Sequence, residues 1–557
     1  MDIKSIQKQL KNLKLSGQFF SLGNMFINED ILPEENQIKT LTGFSGSYAL
    51  LFITPLKAYL FVDGRYELQA KKEVNTRQVE IVKLSEISFT AWLKKNFSAS
   101  STRIVYNPAI TALQTLKKLS ETLPKAEFIA GEADRLLSPK KAKVFIHQKK
   151  FTDKIAKEKI TLFTRYIKQK NLDAFLITSA ANVSWLLNLR SNALPYSPIL
   201  RAYALVEKNG NYKLFAENTD CKEALHFNDL AKILPNYKNL GADFKTTPAL
   251  IKTFAPTIQN IADEIDKLKS IKNKTELKGI SNAHLRDGAA LTKFMYWLSK
   301  NYKDKTETEV AQKLLAYRKK ELNFFSESFA TIAGFGKNAA VVHYHAPEKG
   351  STVLKKNNVL LIDSGGQYYD GTTDVTRTIA LGTPSADMIE KNTLVLKAHI
   401  ALASAIFPQN TTGNELDLIA RQPLFKFGLD YEHGTGHGVG FFSNVHEGPA
   451  RISIHAKSNA PLSAGMITSI EPGYYKENAF GIRIENLYAI KQCKNPKFLN
   501  FEVLTLAPLD KKLINKYILS ADEINWINHY HKKVFVSLKK YLTKQELEWF
   551  KDACAPI

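Results

Sequence analysis

Residues 361–380 read LIDSGGQYYDGTTDVTRTIA. An apolar run ends in Asp363, a turn follows at Tyr369–Asp370–Gly371, and Asp374 opens a second β-rich run. A hairpin of this kind brings its two strand ends, and therefore two carboxylates, together. For Asp370 the role of turn former is sufficient. Asp363 asks for more, because a carboxylate at the end of a buried apolar strand needs a partner or a cation.

Three further segments share this character. HGTGHGVG (433–440) carries His437 among glycines that let the backbone approach closely. SIEPGYY (469–475) places Glu471 at the end of an apolar run, and GIRIEN (481–486) carries Arg483 and Glu485. Strand alternation sets these last two on one face and Ile482 with Ile484 on the other, so an Arg–Glu ion pair is one reading of that face. Each residue alone has an ordinary structural explanation. Together, four carboxylates and one imidazole carry a formal charge of about −4, a hard, oxygen-rich set suited to two divalent cations and costly to gather without them. The set predicts a two-metal hydrolase centre.

The 557 residues exceed what a single core organises, so several domains are expected. No apolar run approaches the ~20 residues of a membrane span, and the N-terminal MDIKSIQKQLKNLKLSG lacks the apolar segment and cleavage site of a secretory signal. Its Ile3, Ile6, Leu10 and Leu13 are spaced for a docked helix over residues 3–14. Cys221, Cys493 and Cys554 are few, odd in number and far apart, which argues for a reducing compartment, here the cytoplasm, and against a disulfide framework or a thiolate metal site. The net charge of +23 invites a nucleic-acid reading. Only 13 of the 77 basic residues are Arg, however, and the lysines are dispersed as pairs, so a solvated lysine surface is expected and no nucleic-acid partner.

The first half reads as two loose copies of one α/β unit. The first runs from the amphipathic helix through TGFSGSYALLFI to AYLFVDGRYELQAKK. The second starts with a helix facing inward through Ile160, Phe163 and Ile167, and continues through DAFLITS, NVSWLLNLR and RAYALVEK. Long helices over 276–300 and 307–321 open the part that carries all five acidic and imidazole residues. A helical tail, SADEINWINHYHKKVFVSLKKYL, closes the chain. The expected division is 1–140 and 146–270 for the paired α/β domains, 275–504 for the catalytic domain and 505–557 for a helical extension packed on it.

DSGGQYYDGTTDVTRT, HGTGHGVG, NVHEGP, EPGYY and GIRIEN closely resemble the motifs of aminopeptidase P, the Xaa-Pro aminopeptidases of the "pita-bread" metallopeptidase group. TGFSGSYALLFI, FVDGRYELQA, WLLNLR, LDYEHGTGHGVG and the WINHYH tail are similar to the long, three-domain cytosolic form. The resemblance implies a mixed α/β and α+β chain, with two creatinase-like α/β domains before a pita-bread catalytic domain and its helical extension. It implies that Asp363 chelates one metal, His437 and Glu471 the other, and that Asp374 and Glu485 bridge them. His343, His433 and His446 would act on the substrate, with Tyr475 and Arg483 supporting the site, while His345 matches no role. Two Mn(II) ions and a homodimer built through the catalytic domain are likewise implied. The expected reaction releases the first residue of peptides with proline second, by attack of a metal-bridging hydroxide on the scissile carbonyl.

Prolidase shares the ligands but lacks the two-unit N-terminal half. Creatinase shares the fold without the metal ligands, and methionine aminopeptidase is a bare catalytic domain. Non-catalytic pita-bread binding modules typically lose ligands that are all present here.

Overall fold

The computed structural model describes residues 2–98, 101–138, 140–455 and 460–557. The chain forms two compact units. One comprises residues 1–147, 154–194 and 199–265; the other comprises 148–153, 195–198 and 266–557.

The first unit contains two sheets built on one plan. In the first sheet, Gly17–Ser21 pairs antiparallel with Leu50–Ile53, which pairs antiparallel with Ala58–Val62. On its other side Gly17–Ser21 pairs parallel with Arg103–Tyr106, followed in parallel by Glu127–Ala130. The second sheet repeats this order with Ala174–Ile177 at the centre. Tyr203–Glu207 and Tyr212–Phe215 lie antiparallel on one side, Leu240–Ala242 and Gln259–Asn260 parallel on the other. The first copy adds Val79–Lys83 as an edge strand. The amphipathic starts of both copies are helices, Ile3–Asn12 and Ala156–Gln169, and bury the residues that the spacing picked out: Ile3, Ile6 and Leu10, then Ile160, Phe163 and Ile167. Leu13 instead lies at the end of its helix and is exposed.

The second unit opens with Lys274–Asn301, capped by Asn273, whose side chain accepts from the Glu276 amide while Glu276 reaches back to the Asn273 N–H. Glu307–Arg318 follows with a second capping box at Thr306. Two antiparallel sheets then carry the chemistry. One is ordered Ile332–Phe335, Asn358–Ser364, Val375–Leu381. The other is ordered Ile406–Pro408, Phe498–Val503, Asn486–Gln492, Ile467–Ile470. The C-terminal helices Ala521–Leu538 and Lys544–Ala553 bury Ile527, Tyr530, Val534, Leu538 and Phe550 in the same core as Val395, Ile482 and Ile484.

Two short pieces of the N-terminal half belong to this unit. Phe151 stacks on Tyr369, and the Thr152 carbonyl accepts from the Asn273 side chain at 3.1 Å. Gln367 Nε2 donates to the Tyr196 carbonyl at 3.1 Å, and Ser197 Oγ donates to Asn444 Oδ1 at 2.8 Å.

The hairpin of residues 361–380 is more elaborate than its sequence reading. Asn358–Ser364 and Val375–Leu381 pair from Ser364↔Val375 to Asn358↔Leu381. The link between them is itself a small ladder, Gly366–Tyr368 against Gly371–Thr372, attached to Phe324–Glu327. Asp370 sits in that turn and is also buried and ion-paired with Arg286, so it is an anchor as well as a turn former. GIRIEN, read by strand alternation, spans the break between two strands. Phe480–Arg483 pairs with Gly473–Lys476, Asn486–Gln492 pairs with Ile467–Ile470, and the change of partner falls at Ile484–Glu485.

Candidate active site

Each of the five residues lies at or just beyond a strand end. Asp363 lies near the end of Asn358–Ser364, Asp374 immediately precedes Val375–Leu381, and Glu471 immediately follows Ile467–Ile470. Glu485 occupies the break between two strands. His437 lies in a two-residue strand against Arg451–Ile452. Gly436 and Gly438 allow this packing. A Cβ on Gly436 would meet the Ser469 carbonyl oxygen at 2.1 Å, and one on Gly438 the Glu447 carbonyl oxygen at 2.1 Å, so no side chain fits at either position.

Ligand atoms of Asp374, His437 and Glu485 lie within 4.8 Å of one another. His437 Nε2 is 3.5 Å from Asp374 Oδ2 and 3.4 Å from Glu471 Oε1. Its Nδ1 lies 3.0 Å from the Gly438 carbonyl, which makes Nδ1 a donor and turns Nε2 toward the carboxylates. Nε2 is therefore the nitrogen placed to hold a metal.

The electrostatics ask for positive charge. Burial, followed by the neighbouring Asp374, Glu471 and Asp363, pushes the Glu485 carboxyl well above the usual range. Burial raises Asp363 despite the pull of Arg483, and raises Glu471 despite the pull of His437. Asp363 Oδ1 is buried with no hydrogen-bond partner among the described residues. These groups fit divalent cations, which would satisfy the open oxygen and favour ionised carboxylates.

Arg483 corrects one detail of the sequence reading. Parity groups it with Glu485, but the strand ends at Arg483 and its guanidinium has other hydrogen-bond partners. Nη2 donates to Asp363 Oδ2 at 2.6 Å and to the Val342 carbonyl at 3.2 Å, and Nη1 donates to Tyr475 Oη at 2.6 Å. Glu485 Oε2 accepts instead from Thr376 Oγ1 at 2.8 Å. The break at residues 484–485 turns Glu485 toward the strand Val375–Leu381, which Arg483 meets through its Nε, 3.3 Å from Thr376 Oγ1, and through its backbone, whose N–H and carbonyl lie 3.1 Å and 3.0 Å from Thr378 Oγ1.

The histidines sit around this cluster. His433 Nδ1 is 2.8 Å from the Gly434 carbonyl and its Nε2 is 2.8 Å from Tyr475 Oη. Arg483, Tyr475 and His433 thus form one hydrogen-bonded chain. His446 packs edge-on to His437, with ring centroids 4.4 Å apart. His343 follows Val342, whose carbonyl Arg483 holds.

Sequence reasoning missed the groups that anchor these loops. Glu307 accepts from the Phe335 amide at 2.7 Å, Asn338 Nδ2 at 2.9 Å and Tyr344 Oη at 2.8 Å, tying down the loop of His343 and His345. Buried Glu447, next to His446, is paired with Lys272 at 2.5 Å and Lys269 at 3.4 Å. Asp417 accepts from Arg421 Nε at 2.9 Å and from Thr435, while Arg421 Nη2 donates to the His433 carbonyl at 2.7 Å. The HEGP and HGTG motifs contain some of these residues, but nothing in their spacing names the partners.

Comparison with known proteins gives the class first. Residues 278–492 match metallopeptidase family M24 and residues 497–557 the C-terminal region of that peptidase; residues 3–135 and 134–276 each match a creatinase/prolidase N-terminal domain. All five clustered residues fall in the peptidase match. A probable Xaa-Pro aminopeptidase P of Paracoccidioides brasiliensis is 36% identical, over 95% of this chain and 94% of its own. Xaa-Pro aminopeptidase 1 of Dictyostelium discoideum is 33% identical, over 100% and 96%. The crystal structure of X-prolyl aminopeptidase from Caenorhabditis elegans, described as a cytosolic enzyme with a di-nuclear active site, superposes with a TM-score of 0.93 at 31% identity, covering 100% of this chain and 98% of that one. The chain belongs to the M24 metallopeptidases and, among them, to the Xaa-Pro aminopeptidases.

Proposed function

We propose that the acidic cluster is a dinuclear Mn(II) centre in which Asp363, Asp374, His437, Glu471 and Glu485 are the ligands and Asp374 and Glu485 bridge. The protein is a metal-dependent Xaa-Pro aminopeptidase, a hydrolase that releases the first residue from peptides with proline in second position. The observation that carries the reading is the convergence of Asp374, His437 and Glu485 within 4.8 Å from three separate elements. When bound, the two ions supply an acidified water and a Lewis acid for the scissile carbonyl.

The chain's own residues do the rest. Glu471 and Nε2 of His437 face the same point. His433, with Nδ1 protonated toward Gly434, accepts from Tyr475 Oη, which in turn accepts from Arg483. This chain orients the phenol and keeps the guanidinium on Asp363. Burial pushes the Tyr475 phenol up to about 12, so it remains a donor at neutral pH. His343 and His446 act on the developing oxyanion and the leaving nitrogen. Proline accounts for a dedicated enzyme: its nitrogen carries no N–H and its ring fixes φ, so sites built for ordinary peptides hold it poorly.

Mn(II)-loaded protein is expected to cleave Arg-Pro-Pro and to leave Arg-Ala-Ala nearly untouched; equal rates on the two would defeat the proline specificity. Cleavage of the tripeptide also separates this activity from a dipeptidase. A prolidase of Pyrococcus horikoshii, 26% identical, covers only 63% of this chain.

The exposed apolar side chains Leu418 (51%), Phe425 (44%) and Phe427 (55%), at the outer face and end of the helix Gly413–Phe425, support a homodimer through the catalytic domain. Leu418→Glu with Phe427→Glu should convert a dimer to a monomer by light scattering, without loss of the metal ions. A variant that stays dimeric would move the interface elsewhere. Among the described residues no helix is long and apolar enough to cross a membrane. The C. elegans enzyme is described as cytosolic, which supports a cytoplasmic peptidase acting on soluble peptides.

A further inference from the structure

Arg377 is 1% exposed and makes six hydrogen bonds, all to neutral acceptors. Nη1 donates to the carbonyls of Thr376 at 2.8 Å and Glu485 at 2.7 Å. Nη2 donates to Asn486 Oδ1 at 2.8 Å, the Ala507 carbonyl at 2.9 Å and Tyr530 Oη at 2.8 Å; Nε donates to the Pro508 carbonyl at 3.1 Å. A buried guanidinium with no carboxylate in contact is costly, and structures retain one where its geometry does something a neutral group does not.

Its position shows what that is. Glu485 falls in the break between Phe480–Arg483 and Asn486–Gln492, so no ladder partner fixes its carbonyl. Arg377 supplies the missing donor from one face of the strand Val375–Leu381. From the other face of that strand Thr376 Oγ1 holds the Glu485 carboxylate. The guanidinium is in turn located by the C-terminal helix. Tyr530 Oη accepts from Arg377 and lies 2.8 Å from the Ala507 carbonyl and 3.3 Å from Asn486 Oδ1. His399 completes the set, its Nδ1 3.2 Å from the Ile484 carbonyl and its Nε2 2.7 Å from Tyr488 Oη.

We propose that Arg377, clamped by Tyr530 of the C-terminal extension, is a positioning residue that fixes the backbone at Glu485 and thereby sets the affinity of the centre for the cations Glu485 would hold. The inference rests on the dinuclear reading above and assigns the C-terminal helix a part in metal binding that packing alone does not require. Lysine at 377 keeps the charge but lacks the planar fork that spans Glu485, Asn486 and Tyr530. Phenylalanine at 530 removes one hydroxyl and little volume.

The test titrates Mn(II) alone into metal-free, full-length wild type, Arg377→Lys and Tyr530→Phe by calorimetry. It then measures Arg-Pro-Pro hydrolysis at limiting and at excess Mn(II). Wild type should bind two ions. Arg377→Lys should bind Mn(II) ~10–100-fold less tightly, as loss of a partner behind a ligand does elsewhere, and Tyr530→Phe should shift the affinity in the same direction by less. Excess Mn(II) should restore much of the lost rate, which a merely structural defect would not allow. Unchanged Mn(II) affinities alongside a lowered Tm in both variants would overturn the proposal. Should Arg377→Lys fail to fold, the Tyr530→Phe titration decides alone. Fewer than two ions in the wild type would instead sink the dinuclear reading itself.

Discussion

Asp374→Asn should cut hydrolysis of Arg-Pro-Pro by at least about 10³-fold and lower the metal content from two ions per chain to one or none. The change is nearly isosteric but removes a charge and an anionic oxygen from the point where His437 Nε2 approaches within 3.5 Å. Loss of Lewis-acid stabilisation worth roughly 4 kcal/mol corresponds to that factor. The same substitution should have an opposite effect on the metal-free protein. Asp374 is the leading neighbouring charge that pushes Glu485 upward, so deleting it relieves repulsion inside a buried cluster. Metal-free Asp374→Asn should therefore melt no lower than metal-free wild type, and higher if the repulsion dominates its stability. A variant with both ions and full activity would refute the bridging assignment. Lost activity with a markedly lowered metal-free Tm would show that Asp374 is structural.

His446→Ala should lower kcat by ~10²–10³-fold, in the range of a single positioned acid–base or oxyanion group, while both ions stay bound. The ring lies edge-on to that of His437, and the next residue, Glu447, is pinned by Lys272. The imidazole is thus held beside His437 by an anchored loop. Inductively coupled plasma analysis with steady-state kinetics on one preparation checks this. Loss of metal, with normal turnover after reconstitution, would make His446 a ligand.

The parts legible in the sequence are those written in local pattern. Helical spacing located the first helices of both N-terminal copies, because an amphipathic helix must turn its apolar stripe inward. Strand ends carrying carboxylates located the acidic cluster, because an ionisable group in a buried place signals a purpose. Pattern did not reveal cross-chain partners. Arg483 and Glu485 share a face by parity, yet Arg483 bonds Asp363, 120 residues earlier, because the chain changes strands between them. Arg377 lies within Val375–Leu381 and resembles any β-strand arginine until the carbonyls of residues 485, 507 and 508 converge on it. Lys272 lies in a stretch with little periodicity, and only the fold brings it to Glu447.

The short pieces 148–153 and 195–198, which cluster with the second unit, bear on how this enzyme can be divided. An excision at residue 275 would look tidy, since it keeps every acidic and imidazole residue of the cluster. It would also strip Glu447 of Lys269 and Lys272, Gln367 of the Tyr196 carbonyl, and Asn444 of the Ser197 hydroxyl. A carboxylate sealed in the interior without its cations is among the most damaging losses a fold can suffer. The peptidase half is not an autonomous cassette, and any chimera or minimal enzyme drawn from it must carry those borrowed residues along.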